Sequence, residues 1–467
     1  MTVLEQTDAR VQAQPRSIFA AALRPTTLGL LTVITLIAFE AMAVSAALPT
    51  AARDVHGLAA FGWAFTGFLV ANVVGMVASG QLSGRYGPRT PLLAGLVSFI
   101  GGLLLSGTAT TMEQLVAGRF VQGLGSGLLI TAAYVVIGEA YPERLRPPLF
   151  AATSSAWVVP SLVGPPVAGL LTQHASWRWV FLGLVPFVLV GGALLVPTLR
   201  RLQQQRRAQP MRMRWMRLVR ALAVAAGVAG LEQAGQHPSP VALAAVPPAI
   251  AALAWGLLGL LPAGTLRIRP GVSAPIAMRG LLAGAFFGAE SLIPLSLMVQ
   301  HSYSPTAAGL PLAISGASWA AGSWYQGRAD DTRGPQVRIR IIRRGFLFVA
   351  GAALGAACAA VPAIPGWVAY PAWLLGGLGA GLTMSSVGVL MLKFTTDENR
   401  GADSAALQLS DATLSALTTG AGGVLVAAAA RGSISFTTAI VGLDVVMCAL
   451  ALTGVLSAGR ARPADRT

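Results

Sequence analysis

Apolar residues fill most of the chain in runs of about 18–26 residues, the length at which a helix crosses a bilayer. Short polar clusters separate them. The runs fall near residues 29–50, 61–82, 90–110, 113–138, 147–172, 177–199, 218–235, 241–264, 274–299, 306–327, 345–363, 367–392, 402–429 and 434–458. This pattern predicts an all-α polytopic membrane protein of fourteen spans. One polar break recurs. Gly80-Gln-Leu-Ser-Gly84-Arg85-Tyr86-Gly87-Pro88-Arg89 returns 247 residues later as Gly327-Arg-Ala-Asp330-Asp331-Thr332-Arg333-Gly334-Pro335-Gln336. Both copies are expected to be short turns at the membrane edge. An echo at half the chain length predicts a duplicated half. The expected organisation is a terminal segment 1–28, a six-helix bundle 29–199, a basic loop plus central hairpin 200–273, a second six-helix bundle 274–458 and a tail 459–467.

Composition agrees with the pattern. Only 11% of the 467 residues are charged and 54% are hydrophobic, whereas a soluble chain carries roughly a quarter charged residues. The net charge of +16 gives no case for a nucleic-acid partner once its distribution is read. If the runs alternate across a bilayer, 29 of the 33 basic residues fall on one side. Arg53, Arg178 and Arg431 fall on the other, and Arg119 lies inside a span. That asymmetry predicts cytoplasmic termini, with the densest arginine cluster, 200–217, against anionic lipid. The first run is too long for a signal-peptide core, so an uncleaved first helix is expected. Cys358 and Cys448 both lie in apolar runs and read as small buried residues, with no metal-ligand spacing. The four histidines fall in loops, where solvated side chains are expected.

Charges inside the runs are the candidate chemistry, because an ionisable group at mid-membrane is costly and marks proton or substrate paths. Glu40 lies mid-run in the first span, and Arg119 in the fourth needs a partner; Glu40 is the leading candidate. Glu290 in the seventh apolar run of the duplicated scheme and Asp411 near the start of the run at 402–429 are further proton-coupling candidates, and Asp444 is a weaker one. Gly123, Gly125 and Gly127 permit close helix approach. Phe39, Phe65, Phe68, Trp157, Phe286, Phe287 and Trp319 could wall a substrate cavity, by apolar or cation–π contact. Pro160, Pro165 and Pro166 are expected to kink the fifth span.

Taken in order, these segments resemble the major facilitator superfamily, and within it the fourteen-helix drug:proton antiporter branch. Gly80, Arg85, Gly87 and Arg89, with Gly327, Asp331 and Gly334 in the second copy, are similar to the family's loop between spans two and three. Gly84 stands where that loop has an aspartate, and Thr332 where the first copy has Arg85. Leu115-x3-Arg119-x2-Gln122-Gly123-x-Gly125 resembles the fourth-span motif whose arginine the family links to proton coupling. Pro160-x3-Gly164-Pro165-x3-Gly169 is similar to the fifth-span antiporter signature. The resemblance implies a proton-coupled exporter of small amphipathic, cationic or hydrophobic compounds, in a bacterial cytoplasmic membrane. It needs no cofactor or metal, is expected to be monomeric, and has protons, a small-molecule substrate and membrane lipid as partners. Export of lipids or lipid-like metabolites is the rival within transport, and a non-transporting sensor is the rival outside it. An enzyme is not expected, since the loops carry no nucleophile–base set.

Overall fold

A computed structural model of the chain describes residues 17–205, 214–329, 335–396 and 400–462. Among the described residues the regular structure is helical, joined by short turns. In the first half the helices are α1 (Arg24–Asp54), α2 (Phe61–Tyr86), α3 (Arg89–Gly107), α4 (Met112–Ala140), α5 (Arg146–Ser155), α6 (Val158–His174), α7 (Arg178–Leu182) and α8 (Val185–Gln205). A hairpin follows, α9 (Trp215–Gln236) and α10 (Pro240–Leu260). The second half has α11 (Ser273–Glu290), α12 (Ile293–Gln300), α13 (Pro305–Ala329), α14 (Pro335–Ala359), α15 (Ala369–Phe394), α16 (Arg400–Ala430) and α17 (Phe436–Ser457).

Among the described residues, twelve helical stretches are long and apolar enough to cross a membrane. The expected fourteen are therefore not all met on that criterion. The two that fall short are the predicted spans 147–172 and 306–327. The first is broken into α5 and α6. Pro160 has no N–H to give the Ala156 carbonyl, so the helix stops at Ala156–Trp157 and restarts with Pro160 in its first turn, where a proline is tolerated. The second, α13, is unbroken, but its serines, glycines and tryptophans dilute its apolar character.

The recurrent turn is also tighter than the sequence suggested. Helix α2 runs unbroken through Gly80 to Tyr86, and Gly80 faces open space. Only Gly87, at φ +84°, makes the reversal, in a conformation L side chains rarely adopt. In the second copy Gly327 lies within α13, while Asp331 and Gly334 fall outside the described residues.

Backbone contacts bring out the duplication. Helix α4 is sandwiched between α2 and α3: Gly123 and Gly127 meet the carbonyls of Phe68 and Asn72, and Gly125 meets the backbone of Phe99. Helix α15 repeats this between α13 and α14, with Gly377 and Gly381 on the carbonyls of Ser315 and Trp319 and Gly379 on that of Gly345. One offset of 254 residues relates all three pairs. With no side chain in the way, the helices approach to backbone contact, the packing that small residues allow in membranes.

The halves meet along two seams. Helix α6 lies between α1 and α13, with Gly169 against Thr306 and Pro165 against Gly309. On the other seam α2 meets α16 at Gly62 and Gly423, and α9 packs over that line. At the arginine-poor end, Asp54 Oδ2 accepts from Trp177 Nε1 (2.9 Å) and from Arg178 Nη1 (3.1 Å), and Arg178 Nη2 donates to the Ala109 carbonyl (2.9 Å). Cys448 is buried as expected, but Cys358 lies on the exposed face of α14. His301, expected to be solvated, is half-buried with a ring nitrogen 2.7 Å from the Ala359 carbonyl oxygen.

Candidate functional site

Glu40 lies midway along α1 and is fully buried, and Arg119 on α4 is 2% exposed. Arg119 Nη1 donates to Glu40 Oε1, forming the ion pair the sequence suggested. The guanidinium is held from several sides. Its Nε donates to the Ala64 carbonyl on α2 (2.9 Å), and Nη1 also reaches Gln122 Oε1 one turn along α4 (3.0 Å). Its Cζ lies 4.3 Å from the centre of the Phe68 ring. Gln122 Oε1 in turn accepts from Ser106 of α3 (3.2 Å). Four helices thus fix one arginine. The second carboxylate oxygen, Glu40 Oε2, is buried without a hydrogen bond.

The second half buries its own glutamate differently. Glu290 closes α11 at 5% exposure, and among the described residues no cation pairs with it. Its surroundings are aromatic. Phe286 sits with Phe287 and Trp319 at 5.3 Å between ring centres and stacks on Trp373 at 5.4 Å, and the Trp373 indole borders the carboxyl. Asp411 is bridged to Arg279 Nε at 2.9 Å, with both side chains partly exposed, which makes it a paired group toward the arginine-rich end of α16. Asp444 on α17 is 1% exposed and borders a small cavity with Ser296.

The rings named from the sequence divide between the two sites. Phe68 stacks on Arg119, Phe65 meets Phe61 edge-on at 5.4 Å, and Phe39 packs against the core on the helix that carries Glu40. Phe286, Phe287 and Trp319 form the cluster at Glu290, and Trp157 lies at the α5–α6 break. None of them lines the small cavities beside Asp444 and at the Gly87–Arg89 turn. Arg89 Nη1 donates to Gln203 (2.7 Å), and Arg85 lies over the Tyr86 ring.

Two further groups carry little signal in the sequence. Trp373 gave no signal apart from the other tryptophans. Glu232, 3% exposed on α9, is the one carboxylate between residues 215 and 260, and that isolation in an apolar hairpin was the signal available.

Residues 30–419 match the Major Facilitator Superfamily, so the chain belongs to that family of membrane transporters. Among curated proteins it is similar to "Probable multidrug-efflux transporter Rv1634" of Mycobacterium tuberculosis, 27% identical with 90% of each chain covered. It also resembles "Multidrug resistance protein 3" of Bacillus subtilis, 33% identical over 34% of this chain; that match spans 31% of the relative. A solved POT family transporter, in complex with a thioalcohol-conjugated peptide, shares the fold at TM-score 0.70 and 15% identity, covering 97% of this chain and 99% of the other. Family and neighbours alike are transporters, not enzymes.

Proposed function

We propose that this chain is a proton-coupled exporter of small amphipathic compounds, cationic or hydrophobic, working by alternating access between two six-helix bundles at 29–199 and 274–458. The observation that carries the reading is the Glu40–Arg119 pair. A fully buried carboxylate, held by one arginine and with one oxygen unengaged, is a group a proton or a cationic substrate can compete for. Competition for one carboxylate, seen differently by the inward- and outward-facing states, couples the two fluxes. Glu290 and its aromatic cluster supply a second acidic, π-rich surface that suits a lipophilic cation once the halves part. The efflux names of the bacterial relatives fit this substrate class. Phe39, Phe65, Phe68 and Trp157 would complete the wall from the first half.

The same reading has α5–α6 and α13 cross as a facing pair, giving fourteen crossings in all. It puts the arginine-rich end, with both termini, in the bacterial cytoplasm, and takes the working unit as a monomer. The loop glycines and arginines act as the hinge region between α2 and α3, and Pro160, Gly164, Pro165 and Gly169 shape the α1–α6–α13 seam.

The test is substrate-driven proton movement in proteoliposomes, wild type against Glu40→Gln, with lipophilic cations and neutral lipids as substrates. Cations should drive protons in the wild type, and the Gln variant should bind without coupling. Normal coupling in the variant would exclude Glu40 as carrier. Movement of lipids alone would replace the drug reading with lipid export.

A further inference from the structure

Helices α9 and α10 are inserted between the halves, yet only α9 is built into them. Helix α10 buries little beyond Ala249 and Gly256 and lies outside α9. Helix α9 covers the seam where α2 of the first half meets α16 of the second. At its centre Gly62 and Gly423 touch so closely that a β-carbon on either would overlap the other's Cα. Glu232 is set over this contact. Its Oε1 lies 2.8 Å from where a β-carbon of Gly62 would be and 3.3 Å from that of Gly423. Its Oε2 lies 3.2 Å from that of Gly420, a point the Thr66 hydroxyl also faces at 3.1 Å. The carboxyl therefore rests on glycines of both halves at once.

Its polar company is sparse. Gln236 Nε2 donates to Oε1 (2.8 Å), and the Gln236 carbonyl accepts from Arg431 at the end of α16. The stretches of α2 and α16 against it, Phe61 to Thr66 and Gly420 to Gly423, present no ionisable side chain, and α10 has none along its length. Arg431 is the charged group at this end of α16, and it is directed to that carbonyl. Among the described residues no cation pairs with Glu232.

We propose that Glu232 is a second proton site, through which the inserted hairpin makes opening of the α2–α16 seam proton-dependent. A charge sealed there without a cation is costly, while a neutral acid is tolerated. Opening the Gly62–Gly423 contact at the arginine-poor end admits water, and the acid releases its proton to that water. Closure takes a proton back from the same side. The inference rests on alternating access but not on which substrate is carried, nor on Glu40 being the carrier.

Electron–electron distance measurement tests it on the full chain in lipid nanodiscs. Spin labels go at Ala59 and Ala430, both exposed beside the seam, with Cys358 and Cys448 replaced by serine. In the otherwise wild-type chain the Ala59–Ala430 distance should lengthen as pH rises. Glu232→Gln should hold the short distance throughout, while Glu40→Gln keeps the pH response. If the Gln variant is poorly recovered, Thr66→Val, which keeps the carboxyl and removes the facing hydroxyl, should displace the midpoint of opening. A pH-independent distance in the wild type overturns the proposal. So does an unaltered response in Glu232→Gln, a response abolished by Glu40→Gln, or an unmoved midpoint in Thr66→Val. The measurement needs neither substrate nor gradient, so a failure to move drugs or protons in liposomes leaves its outcome independent.

Discussion

In the first half a mid-helix glutamate, Glu40, is answered by an arginine that four helices hold in place. In the second half a glutamate of similar burial, Glu290, is answered by indole and phenyl rings. The frames around them are otherwise alike, down to three glycines of α4 repeated on α15 at one offset. Duplication has preserved the packing while the charge pattern diverged. Packing at a glycine contact admits almost no substitution, because any side chain must separate two backbones. A buried acid, by contrast, can be stabilised by a cation or kept neutral among rings, and each solution gives a different response to protons.

The sharpest way to break the comparison is to remove the arginine. Arg119→Ala strands a buried carboxylate and should destabilise the protein by about 3–5 kcal/mol. In detergent this would appear as a large fall in the unfolding midpoint. Adding Glu40→Gln to Arg119→Ala should recover most of the loss, since the stranded charge is then gone. If Arg119→Ala were as stable as wild type, the pair would not be an ion pair in the folded protein.

The matching change in the second half should act in the opposite sense. Glu290→Gln leaves no charge behind, because no cation pairs with it among the described residues. Its stability should stay within about 1 kcal/mol of wild type or rise, as expected when a buried ionisable group becomes neutral at the same volume. Transport of cations in proteoliposomes should nevertheless fall, with neutral substrates less affected. A stability loss as large as that of Arg119→Ala would mean that Glu290 has a charged partner after all.

The membrane-spanning class and most helix positions were legible because apolar run length alone constrains a spanning helix. Glu40 and Arg119 could be paired from sequence because each is an expensive isolated charge in a span, and two such charges of opposite sign seek each other. The turn at 80–89 is shorter than its residues suggest, for a local reason. Glycine is permissive, so Gly80 and Gly84 read like turn residues, yet the helix needs to break only where φ becomes positive, at Gly87. The break before α6 depended on which carbonyl Pro160 leaves without a donor. The aromatic cluster at Glu290 was half visible: Phe286 and Phe287 adjoin it in sequence, whereas Trp373 arrives from a helix more than eighty residues away. Glu232 is hard to single out from sequence because it lies in an insertion that has no counterpart in the duplicated frame.

The finest probe lies on α6, whose two motif glycines touch different halves. Gly164 faces α1 beside Glu40, where an added β-carbon would lie 3.4 Å from Met42 Cβ and 3.6 Å from the Phe39 carbonyl oxygen, ordinary contact distances. Gly169 faces α13 of the other half, where the same atom would lie 2.6 Å from Thr306 Cα. Gly164→Ala should therefore leave stability unchanged or raise it by up to about 1 kcal/mol, since alanine is the better helix former and no clash opposes it. It should leave transport near wild type. Gly169→Ala should force α6 and α13 apart and depress transport while the Glu40–Arg119 pair stays intact. Equal effects from the two alanines would mean that the motif acts through helix flexibility, which both substitutions reduce alike. Unequal effects in the stated order would mean that it acts through the closeness of the two halves at their seam.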